Sequence, residues 1–332
     1  MTVCVTGATG FLGGALVRRL LAQGVRVRAL ARPSPRADAL DALGAEVLRG
    51  DLSDSAAISR AVRGTEVVYH LAAMVGAPGA LADFLDVNRG GTERVFNAAL
   101  EGGVRAIVYS SSIAVYGLAR AGQPIDENTP YNDRPELHGS YVQSKVQADG
   151  FAVAFAQKNP QPAKLSVTIL RPGVIYGSGK QLPFGLLGFS AGRMNVVFGN
   201  RNNRIPLNYI ENVVDAMLLA AKPTAEKLRK YIVLDDDDLT IARYHQARRE
   251  VQGTHALFFS GAPVLAAARV AEGSGLVKAA SSAFNVRQVS RALQDRHYVT
   301  QRIRRELGWS PRVSLREGLR LSLMKSSSNC FR

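Results

Sequence analysis

The sequence predicts an α/β protein: a doubly wound parallel sheet followed by a smaller, mainly helical lobe. Three observations lead there. Apolar β-rich runs alternate with helical runs six times before about residue 178, at a spacing of roughly 20–35 residues, the rhythm of right-handed parallel crossovers with helices on both faces. A glycine-rich turn, "VTGATGFLGG", joins the first strand to the first helix. Beyond residue 178 the alternation weakens and helical pieces dominate.

Residues 2–6 form a short β-rich run. In "FLGGALVRRLLAQG" the apolar residues fall at helical spacing and Gly24 supplies a stop. "VRVRAL" alternates and reads as the second strand; "AEVLRGD" and "TEVVYHLAA" read as the third and fourth. Between those two, "SDSAAISRAVRG" is a helix whose first-turn amides Ser53 or Asp54 can cap. "DVNRGGTERVFNAALEGG" is the next helix, closed by Gly102 and Gly103, and "VRAIVYSSS" is the fifth strand. A long helix is expected from Tyr141 to Asn159. "LSVTILRPGVIYG" gives the sixth strand and its exit, and "KYIVLDDDD" a last strand with an acidic cap. The division expected is 1–177 for the sheet domain, 178–325 for the lobe with segments returning to the sheet, and a disordered tail at 326–332.

The 332 residues are 46% hydrophobic, enough for a sizeable core. No apolar run reaches the roughly 18 residues of a membrane-spanning helix, and the amino terminus lacks a signal-type pattern, so a cytoplasmic protein is expected. The two cysteines, Cys4 in a strand and Cys330 in the tail, make an unlikely disulfide, and no Cys/His cluster suggests a metal site. The net charge of +15 is uneven: from Thr240 onward there are 16 Lys+Arg against 5 Asp+Glu. These charges are scattered and no aromatic residues interleave them as in single-strand binders, so nucleic acid is not the expected partner. A solvated basic face is the bland reading. A weak membrane-surface contact, through segment 262–280, stays open.

Gly7, Gly10 and Gly13 repeat every third residue between a strand and a helix, the context of a dinucleotide-binding turn in a Rossmann sheet. Gly7 permits the tight turn, Gly10 lets amides approach a pyrophosphate, and Gly13 lets the helix pack closely. The helix amino terminus adds unpaired N–H groups. With Thr9, Phe11 and Leu12, these glycines are the candidate phosphate contacts. The alternative is a glycine turn with no ligand. The end of the second strand, "VRVRALARPSPR", has no acid for a ribose 2′-hydroxyl but offers Arg32 and, close behind, Arg36, which favours a 2′-phosphate and hence NADP over NAD. Asp51, with Leu52 at the third strand's end, is placed for adenine; its bland role is to cap the next helix.

Tyr141 and Lys145 lie four residues apart on the long helix, on one face. A phenol of pKa about 10 is a poor base at neutral pH. A lysine ammonium one turn away stabilises its phenolate, so that Tyr141 can exchange a proton with a hydroxyl or carbonyl. Lys145 can also hold a nicotinamide ribose. Three serines, Ser110 to Ser112, end the fifth strand beside the crevice. One can hydrogen-bond a reacting oxygen, or all three form a capping turn.

In order along the chain, "TGATGFLGG", "GDL", "HLAA", "DVNRGGTERV", "VYSSSIAVYG", "YVQSK", "LRPGVIYG" and "LGWSPRVSLREGL" resemble the extended short-chain dehydrogenases/reductases of the epimerase/dehydratase type. The resemblance implies that Ser112 is the catalytic serine, with Ser111 as fallback, Tyr141 the proton donor or acceptor, and Lys145 its partner. It gives Asn88 a supporting role in a water relay or helix bend, against an alternative of helix capping. It places Leu71, Ala72 and Ala73 along the cofactor and Ser110 beside it, brings Pro172, Gly173 and Val174 to the nicotinamide, and holds Arg171 structurally.

Where nucleotide-sugar epimerases often carry an asparagine after the sixth strand, this chain has Gly173 and Val174. That form is closer to the 3β-hydroxysteroid dehydrogenase, dihydroflavonol reductase and 2-alkyl-3-oxoalkanoate reductase branch. Ile113 and Ala114 after Ser112 disfavour a dehydratase. The function expected is hydride transfer between NADP, or alternatively NAD, and a secondary alcohol or ketone of a hydrophobic small molecule. A UDP-sugar 4-epimerase using Arg193, Asn200, Arg201 and Arg204 for a diphosphate stays open, as does a regulator that binds NADP without turnover. The resemblance also suggests a homodimer through helices 82–101 and 141–158.

Overall fold

Strand alternation decides which residues reach which face. In the first strand Val3 and Val5 enter one core while Cys4 enters the other. The computed structural model describes residues 1–76, 79–117, 123–158, 165–180, 188–222, 224–274 and 286–323. The expected tail and most of "LPFGLLGF" lie outside these residues, as do residues 275–280 of the membrane-contact segment.

The elements run β1 (Thr2–Thr6), α1 (Phe11–Ala22), β2 (Arg26–Ala31), α2 (Pro35–Ala42), β3 (Glu46–Arg49), α3 (Ser55–Val62), β4 (Val67–His70), α4 (Leu81–Phe84), α5 (Gly91–Glu101), β5 (Ala106–Ser110), α6 (Ser140–Lys158) and β6 (Ser166–Pro172). The second part holds β7 (Val174–Tyr176), β8 (Gly188–Ala191), β9 (Met194–Phe198), β10 (Leu207–Tyr209), α7 (Ile210–Ala220), β11 (Leu228–Val233), α8 (Ile241–Gln252) and β12 (His255–Phe259). It closes with α9 (Ala262–Gly273), α10 (Val286–Leu293), α11 (Gln301–Leu307) and α12 (Leu315–Leu323).

Seven strands form one sheet in the order β11-β6-β5-β4-β1-β2-β3, and every pair is parallel. The order reverses beside β1, and β1, β4 and β5 deliver their carboxyl ends to that switch point. On one face α1 and α7 bury Leu16, Leu20, Val213 and Met217 against Val3, Val5 and Val108. On the other, α3, α5 and α6 bury Ile58, Val95, Phe96 and Ala152 against Cys4, Val68 and Ile107. Each fully buried aliphatic or aromatic side chain contributes about 1.5–3 kcal/mol. The long helix spans 140–158, against an expected 141–159. Leu85–Gly90, between α4 and α5, is wound as a π-helix.

β11 rejoins the main sheet beside β6. Among the helices of the second part sits a three-stranded sheet, β12-β9-β8, with a two-stranded pair of β10 and β7 beside it. The carboxyl-terminal segment is clasped to α7. Trp309 Nε1 donates to the Asn212 carbonyl at 3.0 Å, and the Asn212 side chain takes the N–H groups of Arg312 and Val313 and donates to the Val313 carbonyl. Asp215 pairs with Arg312 on one side and Arg19 of α1 on the other. No described helix is long and apolar enough to cross a membrane. Among the described residues no group of three potential metal ligands occurs.

Candidate active site

The glycine loop is built for close approach. Gly7 has φ +71°, a left-handed value, and a Cβ there would sit 2.6 Å from the Ala72 amide nitrogen. The exits of β1 and β4 are thereby brought together, and Leu71 N–H donates to Thr6 O. A Cβ on Gly13 would lie 2.1 Å from Gly7 O, so only glycine lets α1 start so near the strand. A Cβ on Gly10 would meet only Gly7 O, at 3.1 Å, and otherwise faces open space. Side chains cap the neighbouring helices, Ser34 on α2 and Asp54 on α3, but none caps α1. Its first-turn amides, at Phe11 to Gly13, are left for an external acceptor, and with the bare cradle at Gly10 they fit a pyrophosphate. Thr9 lies in the same turn. The Phe11 ring packs under the exit of β7, near Gly177 and Lys180, so Phe11 can serve a ligand through its backbone.

At the end of β2, Arg32 is exposed and makes no hydrogen bond or ion pair among the described residues; Arg36 lies half-buried in the first turn of α2. Asp51 sits across from Arg32. Its Oδ1 accepts from Ser53 N and Oγ, at 2.8 and 2.5 Å, and these bonds, with a smaller contribution from the Arg32 charge, hold its pKa below the ordinary value. Asp51 thus closes a turn, while the cap of α3 is Asp54. Leu52 is buried against Gly91.

Three side chains converge at the carboxyl end of β5. The Ser112 hydroxyl caps Ala114 N–H at 3.1 Å and lies near the Tyr141 phenol. Burial raises the pKa of Tyr141, and the nearby Ser112 hydroxyl opposes that rise. Ser111, the alternative serine, turns inward toward Asp149 and is buried. Lys145 is 2% exposed; its Nζ donates to Ser110 O at 3.0 Å and to Tyr109 Oη at 3.2 Å. Burial pushes its pKa down to about 8, against the opposing pull of Asp149. A lysine so placed gains its charge just where a phenolate partner would stabilise it.

Asn88 sits on the π-wound turn with its side chain fully used. Oδ1 accepts from Met74 N at 2.7 Å, and Nδ2 donates to Met74 O at 3.1 Å and to Ser144 Oγ at 2.8 Å. Ser144 in turn donates to Tyr141 O. Asn88 therefore fastens the loop after β4 to the first turn of α6. Beyond Pro172, Gly173 N–H is taken by Asn208 Oδ1 and Val174 N–H by Pro206 O, while the Val174 side chain is 40% exposed. A Cβ at Gly173 would come 2.4 Å from Pro206 O.

Sequence reasoning held Arg171 structural but missed its partner. Asp149, one turn beyond Lys145, is buried and accepts from Arg171 Nη2 at 2.6 Å and Nε at 3.0 Å. Tyr131 donates to Asp149 at 2.6 Å, and Arg171 Nη1 donates to Tyr116 Oη at 2.6 Å. Burial pushes Asp149 up, but Arg171 and Tyr131 outweigh it and hold the carboxyl below its ordinary value. The missed signal was an acid four residues after the lysine, on the same helix face. Of the arginines considered for a diphosphate, Arg204 is engaged by Asp238 and Asp295.

Proteins of known name resemble this chain. Over 232 residues the chain is 35% identical to the 3 beta-hydroxysteroid dehydrogenase/Delta 5→4-isomerase of Mycobacterium tuberculosis, covering 66% of this chain. It spans about 60% of that relative's length. Over 329 residues it is 29% identical to a 4-hydroxy-2-methyl-3-oxo-4-farnesyl-3,4-dihydroquinoline-1-oxide ketoreductase of Stigmatella aurantiaca, covering 96% of this chain and 95% of that one. A crystal structure named gox2253 aligns at a TM-score of 0.80, 26% identical, over 98% of this chain and 97% of its own. The UDP-glucose 4-epimerase of Thermotoga maritima shares the fold, at a TM-score of 0.72 and 20% identity over 98% of each chain. A family model, described as NAD dependent epimerase/dehydratase family, matches residues 3–233. That match runs from β1 through β11 and takes in the uncapped glycine turn and the Ser112, Tyr141 and Lys145 cluster, and the chain belongs to this family.

Proposed function

We propose that the protein is an NADP-dependent oxidoreductase acting on a secondary alcohol or ketone of a hydrophobic small molecule. The observation that carries the reading is the convergence at the end of β5 of the Ser112 hydroxyl, the Tyr141 phenol and the buried Lys145, whose Nζ is fixed by Ser110 O and Tyr109 Oη. In the direction of reduction, Ser112 holds the carbonyl oxygen and Tyr141 gives it a proton. Lys145 stabilises the phenolate left behind. A bound nicotinamide supplies the hydride that the carbonyl carbon receives. Asn88 keeps α6 and the loop after β4 in register, so that proton and oxygen meet.

Arg32 supports NADP: it stands at the end of β2 with its guanidinium uncommitted among the described residues, suited to a bidentate grip on a 2′-phosphate. Val174 supports an apolar substrate, because it presents methyl groups at the site mouth. Relatives named for a hydroxysteroid and for a farnesylated quinoline accord with that. The reading includes cytoplasmic residence and a homodimer through α5 and α6, where Leu100, Phe151 and Phe155 line a surface groove. The test is cofactor oxidation by the purified protein against hydrophobic ketones and UDP-sugars, with NADPH and NADH in parallel. Turnover of a ketone with NADPH is expected. Protein that retains NAD through gel filtration and inverts a UDP-sugar would refute it.

A further inference from the structure

The acidic run that follows β11, Asp235 to Asp238, plays no part in the mechanism above. Its later members are taken up locally. Asp236 pairs with Arg243 of α8 at 3.0 Å, Asp237 accepts from Thr300 N and Oγ1, and Asp238 pairs with Arg204. Asp235 instead reaches across to β10. Its Oδ2 accepts from Tyr209 N at 2.6 Å and its Oδ1 from Asn208 Nδ2 at 3.3 Å. Asn208 is fully buried, and its own Oδ1 takes Gly173 N–H at 2.8 Å. One side chain therefore ties Asp235 to the exit of β6, where Val174 follows.

Asn208 has a single arrangement that suits both neighbours. Gly173 N–H can only donate, so it needs the amide oxygen. A carboxylate can only accept, so it needs the amide nitrogen. A proton on Asp235 ends that agreement. Oδ1 has the longer bond, so the proton goes there rather than to the oxygen held by Tyr209 N. Oδ1 then turns a hydroxyl toward an NH2 group. If the amide turns over to accept from that hydroxyl, its nitrogen is set against Gly173 N–H. Gly173 N–H is then left with Val233 O, at 3.3 Å.

We propose that Asn208 and Asp235 are positioning residues for the loop after β6: the Asp235 charge orients the Asn208 amide, and the oriented amide holds Gly173, and with it Val174, at the mouth of the site. The proposal rests on the reading of Val174 as part of that mouth. The backbone there has no slack, since a Cβ on Gly173 would lie 2.4 Å from Pro206 O and 2.6 Å from Leu234 Cδ2. Protons can reach the carboxyl, because Asp235 lines a cavity of about 860 Å³ with Tyr176, Leu207 and Arg304. Burial pushes its pKa up to about 7, against the opposing pull of Tyr209 N–H, the Asn208 amide and the Arg304 charge. Arg304 of α11 faces it and donates to its backbone carbonyl at 3.4 Å. Tyr176 of β7 and Tyr209 of β10 stay protonated, because burial raises the pKa of each. The other charges around the cavity are answered: Arg243 by Asp236, Arg312 by Asp215 and Arg316 by Glu250.

The experiment is NMR on the ligand-free protein carrying carbonyl-13C proline and 15N glycine, which selects glycine amides that follow a proline. The chain has two such steps, Pro78–Gly79 and Pro172–Gly173, and Gly79→Ala deletes the signal of the first. As the pH falls from about 9 to about 5, the Gly173 amide proton is expected to move upfield with a midpoint of about 7. Asp235→Asn should abolish the titration, and Asn208→Ala should leave the signal at its low-pH position throughout. A Gly173 signal that does not titrate overturns the proposal, and so does one that titrates alike in Asp235→Asn. Should that variant not fold, a titration that persists in Asn208→Ala overturns it. In the ketone assay, KM of the wild type relative to Asp235→Asn should rise about 2- to 12-fold below the midpoint, the effect of one hydrogen bond. A ratio that stays flat while the amide titrates overturns the positioning role. The amide titration needs neither cofactor nor substrate, so a protein that reduces no ketone refutes the reductase reading and leaves this result standing.

Discussion

Asp149→Asn removes one charge and little volume from the interior, and its cost can be worked from the contacts. The wild-type carboxylate takes two bonds from Arg171 and one from Tyr131, and both charged side chains are at most 2% exposed. An amide cannot accept as many bonds and leaves the Arg171 guanidinium buried without a counter-charge. Breaking such a pair from one side costs about 3–5 kcal/mol. The chain has a single tryptophan, Trp309, buried in the core cluster shared by α1 and α7, so urea unfolding can be followed by its fluorescence alongside circular dichroism. The loss is expected as a lower midpoint at unchanged slope. Asp149→Leu combined with Arg171→Met should recover more than half of it, because both charges then leave together. The pH dependence has a fixed sign. A carboxyl whose folded pKa is depressed contributes stability above its ordinary value of 3.8 and loses it as the pH falls through the folded value. The deficit of Asp149→Asn should hold from pH 7 down to about 4 and shrink below that. A loss under about 1 kcal/mol at pH 7, the scale of an exposed ion pair, would refute the reasoning.

Other expectations concern the site itself. Tyr141→Phe should lower kcat by about 10²- to 10⁴-fold, the usual worth of a positioned acid or base, while the cofactor Kd from fluorescence titration stays within about threefold. Arg32→Asp should weaken NADP binding by about 10- to 150-fold and leave NAD equal or better, read as paired Kd values; an unchanged preference removes Arg32 from the 2′-phosphate site. Gly13→Ala forces a methyl against Gly7 O and should cost about 1–3 kcal/mol and weaken cofactor binding. Gly150→Ala on α6, where a Cβ meets nothing within 4 Å, should be neutral or slightly stabilising in the urea-unfolding assay.

What was legible in the sequence was local. The glycine spacing needs three residues and a strand before it, and Tyr141 with Lys145 needs only the pitch of one helix. Both were readable because backbone geometry converts sequence distance into spatial distance directly. Asp149 with Arg171 is different. The two lie 22 residues apart, on a helix and on a strand, and no period links them. His70 was quoted in "HLAA" for the alanines beside it. Its own partners, Thr6 and Thr92, come from β1 and α5, 64 and 22 residues away. The small sheet escaped for a related reason: β9 and β12 pair in parallel, with Met194 opposite His255, and α8 lies between them. Long-range pairings of this kind are set by how whole elements pack, and neither strand's pattern names its neighbour.

The clasp between Trp309 and α7 bears on where this protein can be divided. The stretch common to the family ends at Val233 and holds all seven strands of the main sheet, together with Ser112, Tyr141 and Lys145. Leu239, Tyr244, Ile303, Trp309 and Leu319 all come later, yet they fill the same core as Leu16 and Val213. A fragment stopping at residue 233 would expose that face of α7 to water and take Arg312 away from the Asp215 carboxylate it shares with Arg19. The length the family model spans and the length that fills one core are therefore different. The described residues beyond Val233, the least legible part of the sequence, supply a wall of the core that carries the glycine loop.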